Sequence, residues 1–327
     1  MKCTNNYTSK IRLLCVVVCI AAVFMTGCGS KTELANQYNA YSSDYVSGSS
    51  SSKYFSDALC VTDDINFGTE STQYSKVAEG AGVFNLDKQE VMYNQNIFEK
   101  LYPASTTKVL TAYIIIRYAN LDDMVTVSEN VAKPGESSSV CGLNTGDQIS
   151  VNDLLYGLML ESGNDAAVAL AEYYSGSVEA FAKVMNDEAK KLGATKSNFV
   201  NPSGYPDDNH YTTIYDMYLI FAQAISLEKF TEVINSAEYT ANYKDANGTA
   251  VTKEWKNTCK YILDSQEVPT GFTVVGGKTG TTNAAGYCLV LYSLNEKNER
   301  IISIIYKADA RSNLYLYMSE ILSGFGK

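Results

Sequence analysis

Histidine occurs once in 327 residues, at His210. That excludes a multi-histidine metal centre and leaves a Ser-His-Asp triad only one possible base, so a serine enzyme built from this chain points to lysine in that role. Positive charge is scarce as well: 26 Lys and Arg face 36 Asp and Glu, for a net charge of −10. No clustered basic surface is available for a phosphate backbone, which argues against a nucleic-acid partner. Of the eight cysteines none forms a tight C-x-x-C pair, which argues against a zinc site. Cys60, Cys141, Cys259 and Cys288 read as buried thiols, because a domain this large needs no staple, and no disulfide pairing is readable. A long apolar run is also lacking: Leu13 to Phe24 falls short of the ~20 residues a membrane span needs. No internal repeat is found.

What that run does have is the setting of an export signal. Lys2, Lys10 and Arg12 precede it, and Met25-Thr26-Gly27-Cys28 closes it with small residues. The ending resembles a bacterial lipobox, which implies a signal over residues 1–28, lipid on Cys28 and attachment to the outer face of the cell membrane. Residues 29–57 are Ser, Asn, Tyr and Gly with few aliphatics, a composition that cannot bury enough to order itself. Read as a flexible coil, they hold the rest of the chain roughly 30 Å from the bilayer on average. With 46% apolar residues the chain can bury a large core, and a domain is expected over residues 58–327.

Within it, Val83–Leu86 and Val91–Tyr93 flank Asp87-Lys88-Gln89 as a hairpin. Pro103 precedes a helix from about Ser105 to Tyr118 that is apolar nearly all round and therefore belongs in the core. Helices are expected over Leu154–Leu160, Ala166–Tyr173 and Val178–Leu192, the last stopped by Gly193. Thr213 and Asp216 fit a capping box for a helix through Met217 to Ile225, and Asn247-Gly248 marks a hairpin. Phe272–Val275, Tyr287–Leu294 and Ile301–Tyr306 alternate as strands before a last helix from about Asn313 to Leu322. Strands, a helical middle, strands and a helix predict an α+β domain whose antiparallel sheet joins the two ends of the chain. No additional C-terminal domain is expected.

Three short motifs follow one another: Ser105-Thr106-Thr107-Lys108, Ser162-Gly163-Asn164 and Lys278-Thr279-Gly280. Each alone is weak; Ser-x-x-Lys recurs at Ser50 to Lys53 inside a serine run. Their order and domain-scale spacing are not weak. In the first, serine and lysine three apart share a helix face, about 5–6 Å between Cβ atoms. The lysine can take the serine proton if burial and a second cation, for which Lys278 is the candidate, favour its neutral form. A nucleophile at a helix start also gains from free backbone N–H groups. In the second, a hydroxyl at Ser162 can relay a proton and an amide at Asn164 can bind a peptide backbone. In the third, glycines admit a ligand to the strand edge, and Lys278 and Thr279 suit a carboxylate. The expected ligand is a peptide with a free C-terminus.

These motifs, with Pro103-Ala104, Asp165-Ala166-Ala167, Asn201-Pro202-Ser203-Gly204, His210-Tyr211-Thr212-Thr213, Asp216 and Ala285-Gly286, resemble the low-molecular-mass penicillin-binding D-alanyl-D-alanine carboxypeptidases of peptidase family S11. The resemblance covers about residues 75 to 325. It implies a serine β-lactamase/transpeptidase-like fold with a mainly helical subdomain, and removal of the terminal D-alanine from peptidoglycan stem peptides without a cofactor. It further implies that Ser105 is acylated, with Lys108 as base, Ser162 as proton relay and Asn164 binding the substrate amide. Lys278 and Thr279 would hold the carboxylate beside Gly280. The N–H groups of Ser105 and Thr281 would form the oxyanion hole, and Arg311 would assist the carboxylate. β-Lactams would act as covalent inhibitors, and His210 would be a structural hydrogen-bonder.

Two other readings stay open. A β-lactamase shares Ser-x-x-Lys, but no Glu-x-x-x-Asn segment lies where the common class needs its water-activating Glu; the Asn201-Pro202 stretch stands there. A non-catalytic wall-binding module would keep the fold yet have no use for an activated nucleophile.

Overall fold

A computed structural model describes residues 59–132 and 138–327. The lipobox, Cys28 and the serine-rich tether lie outside the described residues. Ala58–Lys327 forms one compact unit, with its boundary where the tether composition ends.

The first hairpin is β1 (Gly80–Asn85) and β2 (Glu90–Gln95). Its turn is set by Asn85, whose side-chain oxygen accepts the N–H groups of Asp87 and Lys88 at 3.1 and 2.9 Å. β3 (Met124–Thr126) and β4 (Gln148–Ser150) are short, and β5 (Glu238–Lys244) and β6 (Ala250–Lys256) form the Asn247-Gly248 hairpin. β7 (Phe272–Thr282), β8 (Gly286–Asn295) and β9 (Arg300–Ala308) close the strand set. The main sheet runs β2-β1-β9-β8-β7, antiparallel throughout, so the two ends of the chain pair as expected.

The helices are α1 (Lys108–Tyr118), α2 (Val151–Met159), α3 (Asn164–Ser175), α4 (Val178–Lys191), α5 (Ile214–Ala224), α6 (Glu228–Asn235) and α7 (Arg311–Phe325). β9 is buried on both faces, which is why Ile301-Ile302-Ser303-Ile304-Ile305 is apolar on either side of a single buried serine. Ile301 and Ile305 join the cluster of α7 with Tyr317, Met318 and Ile321. Ile302 and Ile304 join the larger core of α1 and α5 with Ile114 and Tyr218. α1 is buried from Lys108 to Ile115, as its all-round apolarity requires. Thr213 caps α5 by accepting the Asp216 N–H at 2.9 Å, while the Asp216 carboxylate takes the Lys196 N–H and the Ser197 hydroxyl.

The subdomain is mainly helical, as expected, and also carries a second antiparallel sheet, β3-β4-β5-β6, that the sequence did not announce. β3 and β4 are too short to show a period, and β5 is exposed at every other residue. Two expectations need correction. The first motif is not the start of the α-helix; Ala104–Thr107 is a 3-10 turn, and Lys108 begins α1. Lys278-Thr279-Gly280 does not follow a short strand but lies inside β7. Gly276 and Gly277 weaken strand propensity, yet Gly277 pairs with Leu291 and Lys278 with Val290 after one register shift.

Candidate active site

The 3-10 turn sets Ser105 and Lys108 on one side, with Lys108 Nζ 2.9 Å from Ser105 Oγ. The lysine is fully buried. Its two other polar neighbours are carbonyl oxygens, Asn164 Oδ1 at 2.7 Å and Ser203 O at 2.8 Å. A neutral amine has two N–H donors and one lone pair. The two carbonyls use both donors, and the lone pair is left facing the serine hydroxyl. Burial, and next the charge of Lys278, push the Lys108 ammonium well below its ordinary range. Geometry and electrostatics therefore agree on a base poised toward Ser105.

The turn is held from behind. Ala104 has φ 47, a conformation most side chains avoid. Gly204 packs so closely that a Cβ there would lie 1.7 Å from the Ala104 carbonyl oxygen. Thr107 Oγ1 meets His210 Nε2 at 2.8 Å, and His210 Nδ1 accepts the Val200 N–H at 3.2 Å. That bond leaves the ring proton on Nε2, donated to Thr107. Burial holds the imidazole down to about 4, so it stays neutral. His210 is a buttress of the nucleophile turn, as expected of a structural hydrogen-bonder.

Ser162 links α2 to α3 with φ 59, and Asn164 opens α3 with its N–H on Ser139 O at 2.8 Å. Next to it the Asp165 carboxylate gathers the N–H groups of Cys141, Gly142 and Leu143 at 2.8, 2.9 and 3.0 Å. That loop carries Ser139, a wall of the cleft. Lys253 on β6 donates to the carbonyls of Cys141 and Gly142 from the other side.

On the third side, β7 runs against the nucleophile turn. A Cβ at Gly280 would lie 2.9 Å from the Ser105 nitrogen and 3.0 Å from the Pro103 carbonyl oxygen. Glycine is what lets the strand edge approach. Lys278 is buried, donates to Thr279 O at 3.0 Å, and is held down to about 7 by burial. Thr279 Oγ1 donates to Thr258 Oγ1 at 2.7 Å.

Ser105, Ser162, Thr279, Gly280, Thr281 and Arg311 line one hollow of about 130 Å³. Asn164 lines a wider groove of about 570 Å³ that also begins at Ser105 and runs past Ser203, Tyr205 and Thr282. Lys108 and Lys278 are buried, and the charge of Lys278 is felt at Lys108. The candidate residues of the three motifs and Arg311 thus come together; Cys28 lies outside the described residues. Arg311 starts α7, with its guanidinium 5.9 Å from the Tyr287 ring centre. Cys60, Cys141, Cys259 and Cys288 are free and buried. Sequence reasoning missed Ser139, Asp165 as loop anchor, the Ser203 carbonyl, Lys253 and Thr258. Asp165 and Ser203 stand in the stretches that carried the family resemblance. Nothing in the sequence marks Lys253 or Thr258.

A serine and lysine on one turn, Ser-Gly-Asn across the cleft and Lys-Thr-Gly on the strand edge, between this sheet and these helices, define the penicillin-binding class of serine peptidase fold. The chain belongs to the peptidase S11 family of D-alanyl-D-alanine carboxypeptidases, whose family model matches residues 68–310. It is 32% identical over 261 residues to the D-alanyl-D-alanine carboxypeptidase DacF of Bacillus subtilis, covering 78% of this chain and 64% of the relative. To DacC of Escherichia coli it is 36% identical over 228 residues, 67% of this chain and 54% of the relative. The chain thus spans less than two thirds of the length of these curated relatives. The solved DD-transpeptidase of Streptomyces K15 superposes with a TM-score of 0.70 at 28% identity, covering 75% of this chain and 95% of that one.

Proposed function

We propose that the protein is a serine D-alanyl-D-alanine carboxypeptidase that removes the terminal D-alanine from peptidoglycan stem peptides. The observation that carries this reading is the contact of Ser105 Oγ with Lys108 Nζ, a lysine whose remaining neighbours are the Asn164 and Ser203 carbonyls.

The Ser105 proton passes to the Lys108 lone pair as Oγ attacks the carbonyl of the penultimate D-alanine. The carbonyl oxygen becomes an oxyanion and accepts from the N–H groups of Ser105 and Thr281. When the C–N bond breaks, the proton returns through the Ser162 hydroxyl to the departing D-alanine nitrogen, leaving an ester on Ser105. Water, deprotonated by the same lysine, then cleaves the ester and restores Ser105. Lys278, Thr279 and Arg311 hold the terminal carboxylate beside Gly280, and Asn164 binds the peptide amide. A β-lactam, whose strained amide meets the same nucleophile, remains as an acyl-enzyme.

The family and the leader sequence together support action outside the cytoplasm, with lipid on Cys28 holding the domain to the membrane. Among the described residues no helix is long and apolar enough to cross a membrane. D-alanine release from a pentapeptide ending in D-Ala-D-Ala, followed for the wild type beside Ser105→Ala, tests the reading. Release by the wild type alone supports it. A wild type that binds wall material but frees no D-alanine would replace it with a wall-binding module.

A further inference from the structure

We propose that Thr258 completes the carboxylate end of the cleft by orienting the Thr279 hydroxyl toward the substrate; the inference rests on the carboxypeptidase reading above. Thr258 belongs to none of the three motifs. It lies just past β6, where the chain leaves the second sheet for the main one.

Its backbone is pinned on both sides. The Asn257 side chain donates to Ser236 O at 2.9 Å and Ile234 O at 3.3 Å, and its N–H donates to Ala237 O at 2.8 Å. Asn257 Oδ1 accepts the Cys259 N–H at 2.8 Å. Asn257 and Cys259 are buried, whereas Thr258 between them is exposed and lines the hollow that holds Ser105, Thr279 and Arg311. An anchored turn therefore presents one hydroxyl to the cleft.

That hydroxyl meets Thr279. A hydroxyl carries one hydrogen and two lone pairs, and the Thr279 hydrogen points to Thr258 Oγ1. A carboxylate is acceptor only, so to bind it Thr279 must turn its hydrogen away from Thr258. Its oxygen can then accept from Thr258 once the exposed Thr258 side chain turns from accepting, its role in the observed bond, to donating. The result is a chain, Thr258 O–H to Thr279 O–H to carboxylate, in which each bond polarises the next. An amide-terminated peptide, with a neutral and weaker acceptor at that position, draws far less on the chain. Thr258 is thus a positioning residue that favours a free C-terminus over a blocked one.

The full chain, with Thr258→Val and Thr258→Ser, separates this role from a merely structural bond. KM and kcat are measured for D-alanine release from a peptide ending in D-Ala-D-Ala, and the inhibition constant is measured for the same peptide as its C-terminal amide. Thr258→Val is expected to raise KM for the acid roughly 5- to 10-fold, about one hydrogen bond's worth. Its kcat and the amide's inhibition constant stay within about 2-fold, and Thr258→Ser restores the acid KM. An unchanged acid KM in Thr258→Val overturns the proposal, as does equal weakening of acid and amide. If the wild type itself frees no D-alanine, the carboxypeptidase reading fails and takes this inference with it, a result distinct from failure at Thr258 alone.

Discussion

Ser105 Oγ and Lys108 Nζ stand 2.9 Å apart on a single turn, and the lysine belongs to the core as much as to the site, with no exposed surface. Burial that would be a cost for a structural lysine is here the source of its basicity. Arginine cannot supply it, because a guanidinium stays charged. Lys108→Arg should therefore slow acylation of Ser105 by roughly 10²- to 10⁴-fold. Stopped-flow acylation with a fluorescent penicillin measures this, with circular dichroism confirming the fold. A Lys108→Arg variant acylated at the wild-type rate would mean that the proton leaves by another route.

Lys278 offers a second test. Held down to about 7 by burial, it is mostly neutral at pH 8. A carboxylate arriving beside it favours the ammonium, so binding should take up protons at pH 8 and less at pH 6, where the lysine is already charged. Calorimetry of Ser105→Ala with the peptide, in buffers of different ionisation enthalpy, reads the number directly. Release of protons, or equal uptake at both pH values, would contradict the placement of the carboxylate at Lys278.

His210 links pH to stability. Its imidazole titrates at about 4 in the folded protein against an unfolded value near 6.5. Below 6.5 the unfolded chain gains a proton that the folded one refuses, so stability falls as pH drops from 6.5 to 4 and the group adds no slope above that window. The loss amounts to at most about 3 kcal/mol. His210→Gln should be less stable than the wild type at pH 7.5 but show a flatter decline across the acid window. Denaturant midpoints at several pH values check both statements.

Gly204 tests how tightly the turn is held. With φ at +80 and the Ala104 carbonyl oxygen 1.7 Å from any Cβ, alanine forces one of the two segments to move. The strain costs roughly 1–3 kcal/mol of stability. Because Ala104 precedes the nucleophile and Ser203 holds Lys108, acylation should fall by more than the melting temperature suggests. A Gly204→Ala variant with normal acylation would show that the turn tolerates displacement.

Much of this was legible in the sequence. The pairing of the chain's two ends followed from Val83–Leu86 at one end and the apolar run after Arg300 at the other. The three motifs and Arg311 do come together. The second sheet was hidden because β3 and β4 are three residues each and β5 is half solvent-facing. β7 was cut short at Gly276, since glycine lowers strand propensity while the ladder to β8 overrides it. Contacts made through the backbone, such as Ser203 O on Lys108, have no signature in residue type. Thr258 escaped for a different reason: its importance comes from two pinned neighbours and a hydroxyl 2.7 Å away on a distant strand.

The most direct test of a lysine-activated Ser105 in one crevice with Lys278 is mass spectrometry of the intact protein after exposure to penicillin. One penicilloyl adduct should form, map to Ser105 and persist for many times the mixing period. It should be absent in both Ser105→Ala and Lys108→Arg on that timescale. No adduct on Ser105, or one that vanishes as quickly as it forms, would contradict the account, the latter in favour of a β-lactamase.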